Sequence, residues 1–197
     1  MKRMPLHSTP ATGFTLVEVM VAIVILSFGL LGVAGLMVLG IQNTYSSQQR
    51  STATQLAYDM VDRMRSNQAG VALDTLGTAT NGYNRPSNDV SADPLYTTQA
   101  AGCLNTSGAA TGSCTAAELA SQDAFEWQQA IRTRLGNGVG IVCRDTSNND
   151  GSYNGTTITH GCSQNGHMYA VKIYWRDDRS SSNTSNTFQV FVTRFLP

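Results

Sequence analysis

The chain has 197 residues, and its 13 Lys and Arg side chains balance its 13 Asp and Glu side chains to give a formal net charge of zero. A chain of this length has room for one domain with a hydrophobic core. Charged residues make up only 13% of the chain, roughly half the usual share for a globular protein. Because no basic cluster is present, nucleic acid is not an expected partner, and the sparse charge argues against a uniform cytosolic enzyme.

A long apolar segment, residues 19–41, lies near the N-terminus and contains no charged side chain. As a helix at about 1.5 Å per residue it spans roughly 34 Å, which is enough to cross a hydrocarbon core of about 30 Å. The segment is longer than the apolar core of a secretory signal peptide, roughly 7–15 residues, and no small-x-small cleavage site follows it. Lys2 and Arg3 precede it, which predicts a cytoplasmic N-terminus and an external remainder.

The sequence GFTLVE at residues 13–18 joins the basic start to the apolar segment. It resembles the processing site of type IV pilin precursors, in which a short basic leader is followed by Gly, by Phe, and by a glutamate at the fifth mature position. The resemblance implies that a prepilin peptidase cuts between Gly13 and Phe14. Residues 1–13 would then be the leader peptide, and Phe14 would become the N-methylated mature terminus.

Glu18 stands at the glutamate position of that motif. A carboxylate beside so many apolar residues is costly in lipid, so a cationic partner is expected. Cleavage would create an amine at Phe14, and helices stacked with an axial offset could place that amine near Glu18 of a neighbouring chain, which would set the assembly register. The alternative is an acidic first-turn residue that the helix dipole and interfacial water stabilise; the surrounding motif favours assembly.

The predicted N-terminal helix has a hydrophobic part at residues 14–41 and an amphipathic part at residues 42–67. Glycine at positions 29, 32 and 35 leaves open a local unwinding within the first part. The apolar stripe of the second part has a three-and-four spacing and contains Ala53, Leu56, Ala57, Met60, Val61 and Met64. The resemblance implies an α+β type IV pilin fold, in which this long helix packs under a small antiparallel sheet.

The expected head, residues 68–197, begins with a variable loop at 68–115 that is rich in glycine and polar residues. A short helix is predicted at 116–135. Its apolar anchors would be Leu119, Phe125, Trp127, Ile131 and Leu135.

An antiparallel sheet is predicted over residues 139–195, with strands at 139–144, 168–176 and 187–195. A polar connection at 177–186 would join the last two strands. Apolar and polar side chains alternate partway along the middle strand, which predicts a strand that is buried on only one face.

Four cysteines, at positions 103, 114, 143 and 162, fall in the part assigned to the outside, where disulfides are expected. Four cysteines permit three pairings. Joining Cys103 to Cys114 and Cys143 to Cys162 closes the shortest loops and is the pairing we expect, although the other two stay open. A zinc site would have to add His160 and His167, but no CxxC or HxxxH spacing supports it.

No P-loop, GxGxxG, GxSxG or HExxH motif occurs in the sequence, so we expect neither catalysis nor a cofactor. Residues 145–151 partly match a calcium-binding loop, but the glycine is one place late and Thr156 stands where a glutamate ligand is needed. We interpret this segment as a solvated turn, and His160 and His167, near Cys162, as ordinary polar loop residues.

The region around Trp127, 140–143 and 171–177 is similar to the PilV-type minor pilins, although this likeness covers only scattered positions. The resemblance implies a minor pilin that initiates pilus assembly or joins a tip complex. The chain would wait in the inner membrane with its head in the periplasm and then enter the pilus at the cell surface.

The partners implied are the prepilin peptidase, other minor pilins, the major pilin, a tip adhesin-like protein and the inner-membrane assembly platform. A pseudopilin of a type II secretion or DNA-uptake system shares the same leader and Glu18, and is the alternative. A different class, an extracytoplasmic hydrolase or binding protein with an uncleaved anchor, would keep Met1 at its N-terminus.

Overall fold

The computed structural model describes residues 13–74, 82–86, 100, 103, 114–154, 157–176 and 188–197. The predicted leader up to residue 12, much of the 68–115 loop and the 177–186 connection lie outside the described residues. The chain divides into two compact units, Met1–Thr44 and Tyr45–Pro197.

The described elements form an α+β architecture with a long N-terminal helix and a small antiparallel sheet, so the predicted fold class is confirmed. In chain order the helices are α1 (Leu16–Ser66), α2 (Gln68–Ala72) and α3 (Ala116–Arg134). The strands are β1 (Val139–Arg144), β2 (Ser152–Tyr153), β3 (Ile158–Thr159), β4 (Tyr169–Arg176) and β5 (Phe188–Phe195). Helix α1 continues without a break through its glycines, and α2 and the β2–β3 pair are elements that the sequence analysis missed.

The second unit packs the C-terminal part of α1 against α3. All six residues of the predicted stripe, from Ala53 to Met64, are buried. The indole Nε1 of Trp127 donates a hydrogen bond to the Leu56 carbonyl oxygen at 2.8 Å. An indole N–H needs a partner when it is buried, so this bond ties the centre of α3 to the backbone of α1.

Helix α3 begins at a capping box, in which Thr115 and Glu118 exchange side-chain to backbone hydrogen bonds. Three of its predicted anchors are buried, namely Trp127, Ile131 and Leu135. The prediction was wrong for Leu119, which is 38% exposed, and Phe125 is only half-buried. The small side chains of Ala120 and Ala124 are buried instead.

The three-stranded sheet has the order β1-β4-β5, and both pairings are antiparallel. One face of the sheet, the helix face, carries Gly140 and Ile173 opposite each other. A Cβ atom at Gly140 would collide with the ring of Trp127. The missing side chain therefore makes room for α3 against β1.

The other face of the sheet, the loop face, carries Lys172 and Tyr174 and is covered by the segment between β1 and β4. Lys172 donates to the Asn149 carbonyl oxygen at 2.7 Å, and the Tyr174 hydroxyl donates to the Asp150 carbonyl oxygen at 2.7 Å. Residues 169–175 are all buried as a result. The prediction of a strand buried on one face was wrong, because this segment folds back over the second face.

Candidate functional site

The motif at residues 13–18 straddles the start of α1. Gly13 and Phe14 precede the helix and are exposed, the Phe14 side chain to 83%. The Glu18 N–H points to the Thr15 carbonyl oxygen at 3.1 Å and to Thr15 Oγ1 at 3.3 Å, as expected where a threonine caps a helix. The Gly13–Phe14 bond is thus accessible, and Glu18 is fixed in the first turn.

Glu18 is exposed, and no described residue forms an ion pair with it. The residues that surround it on the helix are apolar and are also exposed, for example Val17 and Val19. A lone carboxylate within an apolar surface becomes costly once that surface is covered by lipid or by protein, unless a cation joins it. The Glu18 carboxylate can therefore form an ion pair with a cationic group from outside the described residues.

Every described residue from Gly13 to Tyr45 is exposed, whichever side of the helix it occupies. The apolar window of α1 has a mean hydropathy of 2.6, and α1 is the one helix in the described part of the chain that is long and apolar enough to cross a membrane. A helix that is apolar on all sides is normally covered by a membrane or by other protein. The apolar surface of this unit is therefore expected to be covered by a membrane or by other protein.

The two disulfides in the second unit join Cys103 to Cys114 and Cys143 to Cys162, which is the sequential arrangement. The second of them links β1 to the segment that covers the loop face, with the two Cα atoms 6.3 Å apart. Among the described residues, no group of three or more His, Cys, Asp and Glu side chains is placed to hold a metal ion.

A buried ion pair lies beneath that segment. Lys172 Nζ is 2.8 Å from Asp145 Oδ2, and both side chains are 0% exposed. Asp145 Oδ1 accepts hydrogen bonds from the Ser147 hydroxyl at 2.6 Å and from the Ser163 N–H at 3.2 Å. Burial raises the pKa of Asp145, but the bonds from Lys172, Ser147 and Ser163 outweigh it and leave the pKa below its ordinary value.

The interpretation of residues 145–151 as a solvated turn was wrong at Asp145. The ammonium of Lys172 also donates to the carbonyl oxygens of Asn149 and His160, at 2.7 and 2.8 Å. Three oxygen atoms thus surround the Lys172 ammonium, and two of them belong to residues 145–151. His160 is part of this arrangement through its backbone, rather than only a polar loop residue.

A second buried carboxylate, Asp74, was not identified from the sequence. It accepts hydrogen bonds from the backbone N–H groups of Tyr83 and Asn84, at 3.1 and 2.8 Å, and from the Tyr169 hydroxyl at 2.6 Å. These bonds fix residues 82–86 beside the sheet. Asp74 follows a short helix with no distinctive pattern, so no local signal indicates its role.

A comparison with family models matches residues 10–34 to the prokaryotic N-terminal methylation motif. The match covers the Gly13–Phe14 bond, Glu18 and residues 19–34 of the apolar segment. It supports a type IV pilin-like or pseudopilin-type subunit that is anchored in a membrane. Neither the curated proteins nor the solved structures contain a significant match to this chain.

Proposed function

We propose that this chain is a minor pilin of the type IV pilus, of the PilV type, which helps to initiate pilus assembly within a tip complex. The methylation motif over residues 10–34 supports the pilin-like part of the proposal, and the PilV-type part rests on the scattered likeness around Trp127, 140–143 and 171–177. The predicted scissile bond of the motif, Gly13–Phe14, is exposed and lies directly before the apolar first part of helix α1.

Processing is the first step of the proposed mechanism. A prepilin peptidase cuts between Gly13 and Phe14, and the new amine of Phe14 is then methylated. Both residues precede the first turn of α1. The peptidase can therefore bind the bond in an extended conformation without unwinding the helix.

The apolar unit has one role before assembly and another after it. The chain first crosses the inner membrane, with its N-terminus in the cytoplasm because of Lys2 and Arg3, and with its disulfide-bonded head in the periplasm. The same apolar surface then packs against the helices of other subunits in the filament. Transfer costs little hydrophobic free energy because lipid and neighbouring helices are similarly apolar.

The carboxylate of Glu18 sets the axial step between subunits. We propose that it pairs with the Phe14 amine of a neighbouring chain once both are covered by apolar surface. The pairing relieves the cost of an isolated buried charge and disfavours other registers. The neighbours would be other minor pilins and the major pilin, with a tip adhesin-like protein and the assembly platform as further partners.

The proposed role is structural, without catalysis and without a cofactor. A pseudopilin of a type II secretion or DNA-uptake system is the second candidate, because the matched residues belong to the motif that both kinds of subunit share. The two candidates differ in where the mature chain ends up, since only a pilus subunit belongs in surface fibres.

The test compares Glu18→Gln with Asp62→Asn, a matched carboxylate change at an exposed position of the same helix, in cells that carry the native assembly system. We expect Glu18→Gln to be processed and membrane-bound but at least about 10-fold depleted from sheared fibres, the effect of losing about 1.4 kcal/mol. Asp62→Asn should resemble the wild type. Equal incorporation of both variants would contradict the role of Glu18. A processed wild-type chain that never enters fibres would contradict membership of the tip complex and would indicate a pseudopilin or a role in initiation only.

A further inference from the structure

Asparagine is followed directly by glycine at four places in the chain, at positions 81, 137, 154 and 165. Asparagine is a chemically labile residue. Glycine has no side chain to shield its backbone nitrogen, so that nitrogen can approach the side-chain carbon of the preceding asparagine closely. The structure describes both residues of two pairs, Asn137–Gly138 and Asn165–Gly166. These two pairs have different surroundings, so we expect their reactivity in the folded chain to differ as well.

The first pair, Asn137–Gly138, is held in a packed turn that follows α3. Asn137 has a φ of 64°, and its N–H donates to the Arg132 carbonyl oxygen at 3.0 Å. Gly138 is buried, and its carbonyl oxygen accepts a hydrogen bond from the Gln128 side chain at 3.2 Å. An attack by the Gly138 nitrogen needs a rotation of the backbone between the two residues. These hydrogen bonds and the burial of Gly138 oppose that rotation, so the turn must first open locally.

The second pair, Asn165–Gly166, lies in an accessible bend shortly before β4. Asn165 is exposed, Gly166 is half-buried, and the two residues that follow, His167 and Met168, are exposed as well. Among the described residues, neither the Asn165 side chain nor the Gly166 N–H has a hydrogen-bond partner. The two groups that would react are therefore free to move toward each other without breaking a hydrogen bond of their own.

We propose that Asn165 is a site of spontaneous deamidation in the folded chain. The Gly166 backbone nitrogen loses its proton to water and bonds to Cγ of Asn165, the Cγ–Nδ2 bond breaks, and Nδ2 takes a proton and leaves as ammonia. One water molecule then opens the resulting succinimide ring. Breaking the bond between Cγ and the ring nitrogen gives aspartate, and breaking the bond between the backbone carbonyl carbon and the ring nitrogen gives isoaspartate. Neither step needs an oxidant or a reductant.

The bend around Asn165 is held on both sides by one residue, Arg144. The Gln164 N–H donates to the Arg144 carbonyl oxygen at 3.0 Å, and Arg144 Nη1 donates to the Gly166 carbonyl oxygen at 3.1 Å. Aspartate leaves the backbone between these two contacts unchanged, whereas isoaspartate lengthens it by one carbon atom. Arg144 is buried at the end of β1, so the sheet fixes its position. Isoaspartate should therefore weaken the contacts with Arg144, and aspartate should not.

Both products change the surface of the chain permanently. Each replaces a neutral amide with a carboxylate, so position 165 gains a negative charge. Because the ammonia that leaves is not returned, modified chains accumulate with time. The modified fraction should therefore report the age of the folded chain.

The experiment compares the folded full chain in detergent with the same chain unfolded in urea, both with their disulfides intact and at the same mildly alkaline pH. Peptide mapping by mass spectrometry follows the conversion of Asn137 and Asn165, and an isoaspartyl methyltransferase labels the isoaspartate product. In urea the two sites should react at similar rates. In the folded chain Asn165 should react at least about 10-fold faster than Asn137, which corresponds to a difference of about 1.4 kcal/mol in activation free energy.

Equal rates at the two sites in the folded chain, or an Asn165 that reacts only in urea, would overturn the proposal. A signal that persists in Asn165→Gln, whose longer side chain closes a ring less readily, would place the reaction elsewhere and also contradict it. Hydrogen exchange at the Gln164 amide tests the effect on the bend. Exchange should be faster in chains that contain isoaspartate than in Asn165→Asp, and equal exchange would overturn the expected loss of the Arg144 contacts.

Discussion

Lys172 and Asp145 form an ion pair across the loop face of the sheet, with Nζ and Oδ2 2.8 Å apart and neither side chain exposed. The pair joins β4 to the first residue after β1. The Lys172 ammonium contacts one oxygen atom each from Asp145, Asn149 and His160, and these contacts hold the segment between β1 and β4 against the loop face. The cover therefore depends on Lys172.

Replacing Lys172 with methionine should therefore be strongly destabilising. The variant removes the cation that lies 2.8 Å from the buried Asp145 carboxylate and leaves only Arg194, whose Nη2 atom is 4.0 Å from Asp145 Oδ2. Breaking a buried pair costs about 3–5 kcal/mol when no other cation is near, and the more distant Arg194 should reduce this cost only in part. Urea unfolding of the full chain in detergent, followed by the fluorescence of its two tryptophans, measures the loss. The double variant Lys172→Met/Asp145→Asn should be clearly more stable than the single one, and equal stabilities would contradict the pairing.

The same pair predicts how stability depends on pH. The pKa of Asp145 in the folded chain lies below its ordinary value of 3.8, so its ionised form stabilises the fold. The contribution is complete above the ordinary pKa and is lost as the pH falls below it toward the folded-state pKa. Unfolding free energies measured from pH 6 down to pH 2 should fall more steeply for the wild type than for Lys172→Met/Asp145→Asn. If the two proteins lose stability in parallel, ionised Asp145 does not contribute to stability as proposed.

The Cys143–Cys162 disulfide should contribute about 3 kcal/mol, since it closes a loop whose ends are 19 residues apart. The variant Cys143→Ser/Cys162→Ser removes it without leaving a free thiol. Chemical unfolding under non-reducing conditions gives the stability difference. Peptide mapping of the wild type should show this pair and the Cys103–Cys114 pair, and a crossed pairing would contradict the structure.

Gly140→Ala should be destabilising by about 1–3 kcal/mol, the usual cost of overpacking a core, because its Cβ would meet both the Trp127 ring and the end of the Ile131 side chain. Thermal unfolding of the full chain measures the effect. The matched variant Trp127→Phe/Gly140→Ala should cost less than the sum of its two single changes. Additive costs would show that the ring does not limit this position.

Periodicity in the sequence was sufficient for features that depend on one element alone. The buried stripe from Ala53 to Met64 repeats at helical spacing, so it could be identified without knowing what it packs against. Leu119 shows the limit of that reasoning. It lies near the start of α3 and is exposed, although its side chain is as apolar as those of the buried anchors.

The features that the sequence did not reveal depend on contacts between distant residues. A lysine in a strand normally indicates a solvent-facing position, and Lys172 is buried only because Asp145, Asn149 and His160 supply three oxygen atoms. Asp74 similarly acts through Tyr169, which lies far along the chain. Such contacts carry no local pattern from which they could be predicted.

Intact mass together with N-terminal sequencing of the chain recovered from membranes tests the central proposal most directly. We expect a mature chain that starts at Phe14 and carries one additional methyl group on its amine. A Gly13→Asp variant should block cleavage, and Gly35→Ala, a glycine change with open space around it inside α1, should not. An unmodified chain that still begins at Met1 in cells with an active prepilin peptidase would contradict the account.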